Sequence, residues 1–524
     1  MTNKNLMYLL LCAGCAVAAV PRVAHAGCPE VLAALGSRVA DTTCVDSADL
    51  TTNNPATTPA DNSIAGLPAG AFTPTTDRNV ISPSAPNRTP ITRAVPGVQV
   101  NGRIADDPTG EARFLLRLPT DWNGRLVVAG ASGTRSENNG DFAWSDYVLQ
   151  KGYAYASQNK GVLNLKIVSL SSPTQPADDP LACRLNPASQ IWVHFFDNDP
   201  AKLFTQWTQY MLEGARLAQR AVFANYHRHA RHTYAVGTSN GGYQVRRAIE
   251  EAPELFDGGV DWEGTFIDPR GPNVLIDLPP AIANFAAYAA SGFDPNSLAA
   301  RNIVAAGYPP DVVTGTTSLW GLYWGQFWEV TQCQWQKRFD PTFVTYDGGP
   351  NNIDGTGGYD YAGRVAADPS IARSVAAVAT TGRIKRPLIT VAGTMDALLP
   401  IQRGARAYEA LVRQAACDDH GHHGHGDCDG DRDDHGDHGD HGDHGDRAAP
   451  YRLYEVQNGN HIETFKNTFP QLELIQPHAQ RAFDLLVDHV EHDAQLPPSQ
   501  CVPRGGSITA GPAAPGHCAQ LLAP

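Results

Sequence analysis

Beyond its first 26 positions the sequence has no apolar run of about 18 residues, roughly the length a helix needs to cross a bilayer. Stable membrane insertion is therefore not expected. Basic residues are also in short supply, with 40 Lys and Arg against 54 Asp and Glu and a formal net charge of -14. That balance excludes the basic surface a nucleic-acid binder requires. No segment recurs at a period of roughly 20–50 residues, which sets aside solenoids and propellers. Apolar residues make up 42% and charged residues 18% of the 524 positions. Such a composition is globular and rules out a wholly disordered, collagen-like or coiled-coil chain. The length is ample for a large core or several.

The chain opens with the features of an export signal. Lys4 supplies a positive start, Leu6 to Val20 an apolar run, and Ala24-His25-Ala26 a small-residue cleavage site. Cleavage there leaves eight cysteines, and an even count in an exported chain suggests disulfides. Short-range pairing joins Cys28 to Cys44, Cys417 to Cys428 and Cys501 to Cys518, leaving Cys183 for Cys333, one of many possible connectivities. The expected location is secreted or periplasmic.

Hydrophobic periodicity divides the rest. After the signal peptide (1–26), residues 27–96 read as an extended N-terminal arm, rich in Thr, Pro, Asn and Ala from position 45. Strands are expected at Val98 to Ile104, Arg113 to Leu118, Arg125 to Ala131, Tyr153 to Ser157, Thr233 to Gly237, Gly259 to Trp262, Pro387 to Ala392 and Tyr451 to Val456. Helices are expected from Phe204 to Val222, Gly241 to Glu251, Ile401 to Ala415 and Pro477 to Glu491. Alternating strands and helices predict an α/β fold with a mostly parallel sheet covered on both faces. The core then occupies 97–264, 384–416 and 448–495. It is interrupted by an inserted cap at 265–383 and a His/Asp/Gly-rich loop at 417–447, and followed by a C-terminal tail at 496–524.

The chemistry concentrates in three loops. Gly237-Thr238-Ser239-Asn240-Gly241 fits G-x-S-x-G between an expected strand and an expected helix, where a sharp turn leaves little room for neighbouring side chains. Such a turn exposes the Ser239 hydroxyl and aims the Asn240 N–H at a developing oxyanion. Asp396 follows the next-to-last parallel strand and His461 the last, giving Ser, Asp and His in the order of the α/β-hydrolase arrangement. His461 is expected to take the Ser239 proton while Asp396 orients the imidazole. Asp261 and Glu263, after the strand that follows Ser239, are alternative acids. Asp396 has the better-formed strand and turn. A second oxyanion donor is expected from the small residues after Arg125 to Ala131, with Ala131 or Ser132 the candidate N–H.

With Phe114 to Asn164, GTSNGGYQ around Ser239, GTMDALLP at Asp396 and GNHIETF at His461, the chain resembles secreted bacterial α/β-hydrolase esterases, namely the tannase and feruloyl esterase group and the 3-hydroxybutyrate oligomer hydrolases. The resemblance spans about 300 residues and implies ester hydrolysis by Ser239, Asp396 and His461. Tannases carry a cysteine before the serine and another after the histidine. Thr238 and Ile462 stand there in this chain. The Ser239 to Gly242 run is closer to the oligomer hydrolases.

Two further features invite a role. Trp320, Trp324 and Trp328 recur every four residues, so one helix would give them a common face. They either pack the cap on the core or wall the substrate site. His420 to Asp446 carries eight His, and the acidic tract from Asp418 to Asp446 holds 11 Asp and one Arg, most of the net charge. Its glycine spacing presents no fixed geometry, so it reads as a solvated loop or an adventitious divalent-metal binder. The cap carboxylates Asp354 and Asp360 are candidates for structural Ca²⁺, which the resemblance implies for tannase-like caps. No cofactor is required by the serine chemistry. The expected function is hydrolysis of a small aromatic or hydroxyalkanoate ester or oligoester. Its rivals are an exported serine peptidase or amidase and a non-catalytic metal-binding protein on a hydrolase scaffold.

Overall fold

A computed structural model of the chain describes residues 27–57, 88–133, 136–138, 140–196, 204–346, 356–419, 450–511 and 516–524. The export signal, Asp354, Cys428 and the His420 to Asp446 tract lie outside them. The ten strands of the central sheet are β1 (Val39–Ser47), β2 (Gly97–Ile104), β3 (Arg113–Pro119), β4 (Arg125–Gly130), β5 (Ala154–Gln158), β6 (His232–Thr238), β7 (Gly258–Trp262), β8 (Leu388–Gly393), β9 (Tyr451–Val456) and β10 (Gln500–Val502). They lie in the order β1-β2-β3-β5-β4-β6-β7-β8-β9-β10. Every pairing from β5 to β10 is parallel, whereas β1, β2 and β3 add an antiparallel edge. This is the expected α/β-hydrolase architecture.

Strand β4 shows why the sheet is sandwiched. Leu126 and Val128 join one apolar cluster with Met211, Ala215, Val222, Val245 and Ile249, so helices Thr205–Tyr226 and Asn240–Glu251 cover that face. Val127 and Ala129 join the opposite cluster with Trp144, Phe483 and Leu486, under helix Gln476–His492. Because side chains alternate along a strand, a run apolar at every position demands cover on both faces. Each fully buried Leu or Val contributes roughly 1.5–3 kcal/mol, so stripping either face would be decisive.

Three expectations need correction. The arm does not begin as an arm: Cys28–Leu35 is helical and β1 pairs with β2, because Val31 and Leu35 have apolar surface to bury against the sheet. The C-terminal tail contributes β10, parallel to β9. The superstructure above the sheet also draws on two stretches. Besides the helices of the inserted cap it includes a three-stranded sheet of Leu163–Ser169, Cys183–Arg184 and Trp192–Phe196. A disulfide from Cys183 to Cys333 fastens that sheet to cap helix Trp328–Phe339. The expected Cys28–Cys44 and Cys501–Cys518 bonds are present as well, and the remaining expected pair reaches Cys428, outside the described residues. Among the described residues no helix is long and apolar enough to cross a membrane.

Beneath the site, Arg246 and Asp261 are both fully buried, and Arg246 Nε donates to Asp261 Oδ2 at 2.6 Å. Asp261 also accepts from Gly264 N–H and Thr390 Oγ1. Its carboxylate thereby ties β7 to β8 and to the helix after Ser239. Arg246→Met should destabilise the protein by about 3–5 kcal/mol, since it strands a buried charge. Chemical denaturation with the protein otherwise folded at zero denaturant measures the loss.

Candidate active site

Ser239 stands between β6 and helix Asn240–Glu251 with φ 58° and ψ -123°, a left-handed backbone at a non-glycine residue. Such strain persists only where surrounding structure enforces it. Two glycines make the turn possible. A Cβ on Gly237 would lie 2.3 Å from the Gly241 carbonyl oxygen, and one on Gly241 would lie 2.6 Å from the Gly130 carbonyl oxygen. The Ser239 turn is thus wedged against the end of β4, where the loop expected to supply the second oxyanion donor begins.

Asp396 and His461 lie past the C-terminal ends of β8 and β9, at the same sheet edge as Ser239. His461 Nδ1 is 2.8 Å from Asp396 Oδ2, and its Nε2 is 3.0 Å from Ser239 Oγ. With the proton on Nδ1, the imidazole donates to Asp396 and leaves Nε2 to accept from the Ser239 hydroxyl. Asp396 Oδ1 accepts from the N–H groups of Leu398 and Leu399 at 2.7 and 2.8 Å, which fixes the carboxylate plane. All three side chains are buried, Ser239 the least at 7% exposure.

The alternative acids separate cleanly. Asp261 is occupied by Arg246 and Thr390. Glu263 Oε1, by contrast, lies 3.5 Å from His461 Nδ1, beside Asp396. Burial pushes its carboxyl well above the usual carboxylate range, and the charges of Asp396 and Glu463 push the same way. Glu463 itself is pushed up to about 8 by burial, although it accepts the N–H groups of Ile475 and Gln476.

The oxyanion donors need one correction. Asn240 begins the helix, so its N–H has no acceptor one turn back, and its Oδ1 is held by Thr265 Oγ1 at 2.7 Å. The Ala131 N–H, however, donates to Gln244 Oε1 at 2.9 Å and is committed there. Ser132 is the other candidate of the pair. A residue that sequence reasoning missed shapes this loop: the ammonium of fully buried Lys160 donates to the carbonyls of Ala131, Ser132 and Gly133. Three successive carbonyls drawn to one cation turn the peptide N–H groups between them the other way. Local pattern could not reveal this, since Lys160 lies nearly 30 residues downstream.

The tryptophans do not share one helix. The chain breaks at Phe327 (φ -132°, ψ -48°), which puts Trp320 and Trp324 on helix Leu319–Gln326 and Trp328 at the start of the next. Trp320 Nε1 donates to Pro309 O and Trp328 Nε1 to Ala397 O, both rings being buried; Trp324 stacks on Phe285. They pack the cap. The ring that grips the catalytic loops is Tyr323, whose hydroxyl donates to Asn460 Oδ1 at 2.9 Å. On the other side, Thr394 Oγ1 donates to Leu521 O, and Asn458 exchanges hydrogen bonds with Ala523 at 2.7 and 2.9 Å. The turns bearing Asp396 and His461 are therefore clasped by both the cap and the C-terminal segment.

Among the described residues, the acid and imidazole side chains close enough to hold a metal are Glu263 and the Asp396–His461 pair beside it. Asp360 serves as the N-cap of helix Tyr361–Ala367, accepting from Gly363 N–H. Its carboxylate therefore has a structural task within the cap.

No family model matches the chain. Over 151 residues it is 29% identical to a protein named D-(-)-3-hydroxybutyrate oligomer hydrolase from Burkholderia thailandensis, a match covering 27% of this chain and 17% of that protein. The chain thus spans less than a fifth of the length of the curated relatives it matches. Among solved structures it is similar to feruloyl esterase B from Aspergillus oryzae, at 12% identity and a TM-score of 0.44 with 88% of each chain covered. It is also similar to a tannin acyl hydrolase from Aspergillus niger, at 12% identity and a TM-score of 0.42 with 86% of this chain and 83% of that one covered.

Proposed function

We propose that the protein is a serine carboxylic ester hydrolase working through an acyl-enzyme. The observation that carries this reading is the relay from Ser239 Oγ through His461 to Asp396, with 3.0 and 2.8 Å between its polar atoms. Ser239 Oγ adds to the ester carbonyl carbon as His461 Nε2 takes the hydroxyl proton. The carbonyl oxygen becomes an oxyanion that the N–H groups of Asn240 and Ser132 receive. Collapse of the tetrahedral species breaks the bond to the alcohol, which leaves with the proton from His461. Water, deprotonated by the same imidazole, then releases the acid and restores Ser239. Asp396 offsets the imidazolium charge in both halves. Side chains and backbone N–H groups carry every step, so no cofactor is called for.

The substrate is a small aromatic or hydroxyalkanoate ester or oligoester. The partial match to hydroxybutyrate oligomer hydrolases supports the second class. The cap rings Tyr323 and Phe327, packed on Phe465 beside the His461 turn, suit an apolar substrate portion. Three disulfides among the described residues support an oxidising location, secreted or periplasmic.

Ser239→Ala should lower turnover of p-nitrophenyl esters on the order of 10⁶-fold while leaving the thermal melt unchanged. Equal turnover by both proteins would overturn the reading, and hydrolysis of anilides alone would make it a peptidase. Lys160→Met should lower kcat by about 10²–10³, the effect of removing one oxyanion donor, with little change in KM. Affinity for a boronic acid inhibitor, measured alongside circular dichroism, should fall in parallel.

A further inference from the structure

Three strands in a row, β6, β7 and β8, end at the catalytic edge, and each places a reactive side chain there: Ser239, Glu263 and Asp396. Two carboxyl groups therefore reach one imidazole. Asp396 Oδ2 and Glu263 Oε1 both face His461 Nδ1, at 2.8 and 3.5 Å. Glu263 is 3% exposed, and neither of its oxygens makes a hydrogen bond of ordinary geometry. Its remaining polar neighbours are the Gly393 N–H and the Trp262 indole N–H. The titratable groups around it are Asp396, His461, Glu463 and Tyr323, all buried. Its backbone is fixed as well: φ is 44°, and its N–H donates to Val391 O at 2.8 Å. A buried carboxyl whose hydrogen bonds fall outside ordinary geometry is costly unless something else is gained. Here the cost falls on a side chain aimed at the catalytic base.

On the reading of Ser239, Asp396 and His461 as the catalytic triad, we propose that Glu263 is a second acid for His461, a positioning residue that takes over the Nδ1–H when the Asp396 carboxylate is lost. In the intact protein Asp396 is nearer and holds the imidazole. Burial, together with the charge of the adjacent Asp396 carboxylate, disfavours the ionised form of Glu263 there. Removing Asp396 takes that charge away, so Glu263 ionises more readily and accepts from Nδ1–H in its place. No bond is made or broken beyond that proton equilibrium.

A double-mutant cycle on p-nitrophenyl ester hydrolysis tests this. Losing the only acid of such a triad costs about 10⁴ in kcat. Asp396→Ala should instead lose only about 10²-fold, Glu263→Gln alone less than threefold, and the double variant the full 10⁴ or so. The Asp396→Ala rate should go on rising with pH where the wild-type rate has levelled, as Glu263 ionises, and that rise should vanish in the double variant. The far-downfield proton resonance of the His461 Nδ1–H reads the same contact without turnover. It should survive Asp396→Ala and disappear in the double variant. A double variant no slower than Asp396→Ala, with the same pH profile, would overturn the proposal. So would loss of the resonance in Asp396→Ala alone. If Asp396→Ala does not fold, Asp396→Val, of similar shape and without a polar group, carries the same cycle with the same criteria. Because the resonance does not depend on turnover, failure of the ester-hydrolase reading and failure of this one are distinguishable.

Discussion

The contact on which the rest depends is the meeting of three backbones, at Gly237, Gly241 and Gly130, where side chains have no room. It lets the chain leave β6 and enter a helix within one residue, which is what holds Ser239 at a positive φ. The same contact brings the end of β4 under the helix N-terminus. Ser239 and the candidate oxyanion donors therefore share one rigid junction. The candidate site is thus built where the backbone is most tightly constrained.

Above that junction the site is held by long-range polar ties. Lys160 gathers the carbonyls of the β4 loop, Gln244 takes the Ala131 N–H, and Tyr323 reaches from the cap to Asn460 next to His461. Trp328 adds a link to Ala397, next to Asp396. The cap is thus fastened to the turns that carry the acid and the base. Apolar packing continues across the same boundary, since Met395, Ala397, Ile462 and Phe465 share one cluster with the cap rings.

Much of this was legible in the sequence because it is local. Apolar runs ending in glycine marked β4, β6 and β8, and the turn residues after them marked Ser239, Asp396 and His461. Where reading failed, the deciding partner was distant. β1 and β10 are the two edge strands, and their pairing depends on neighbours far along the chain. Ala131 looked equivalent to Ser132 until Gln244, more than a hundred residues away, claimed its N–H. The four-residue spacing of the tryptophans predicted one helix face, and the break at Phe327 removed it. Glu263 was visible as an alternative to Asp396, but a sequence offers no way to see that both reach the same nitrogen.

The clasp of Thr394 and Asn458 by Leu521 and Ala523 bears on the order in which the molecule comes together. Contacts joining residues 127 and 65 positions apart close long loops, and such closures come late because their entropy cost is met before they are rewarded. The sheet can be complete while the turns bearing Asp396 and His461 still wait for that closing segment. Completing the sheet and giving those two turns their final shape are then separate events in folding.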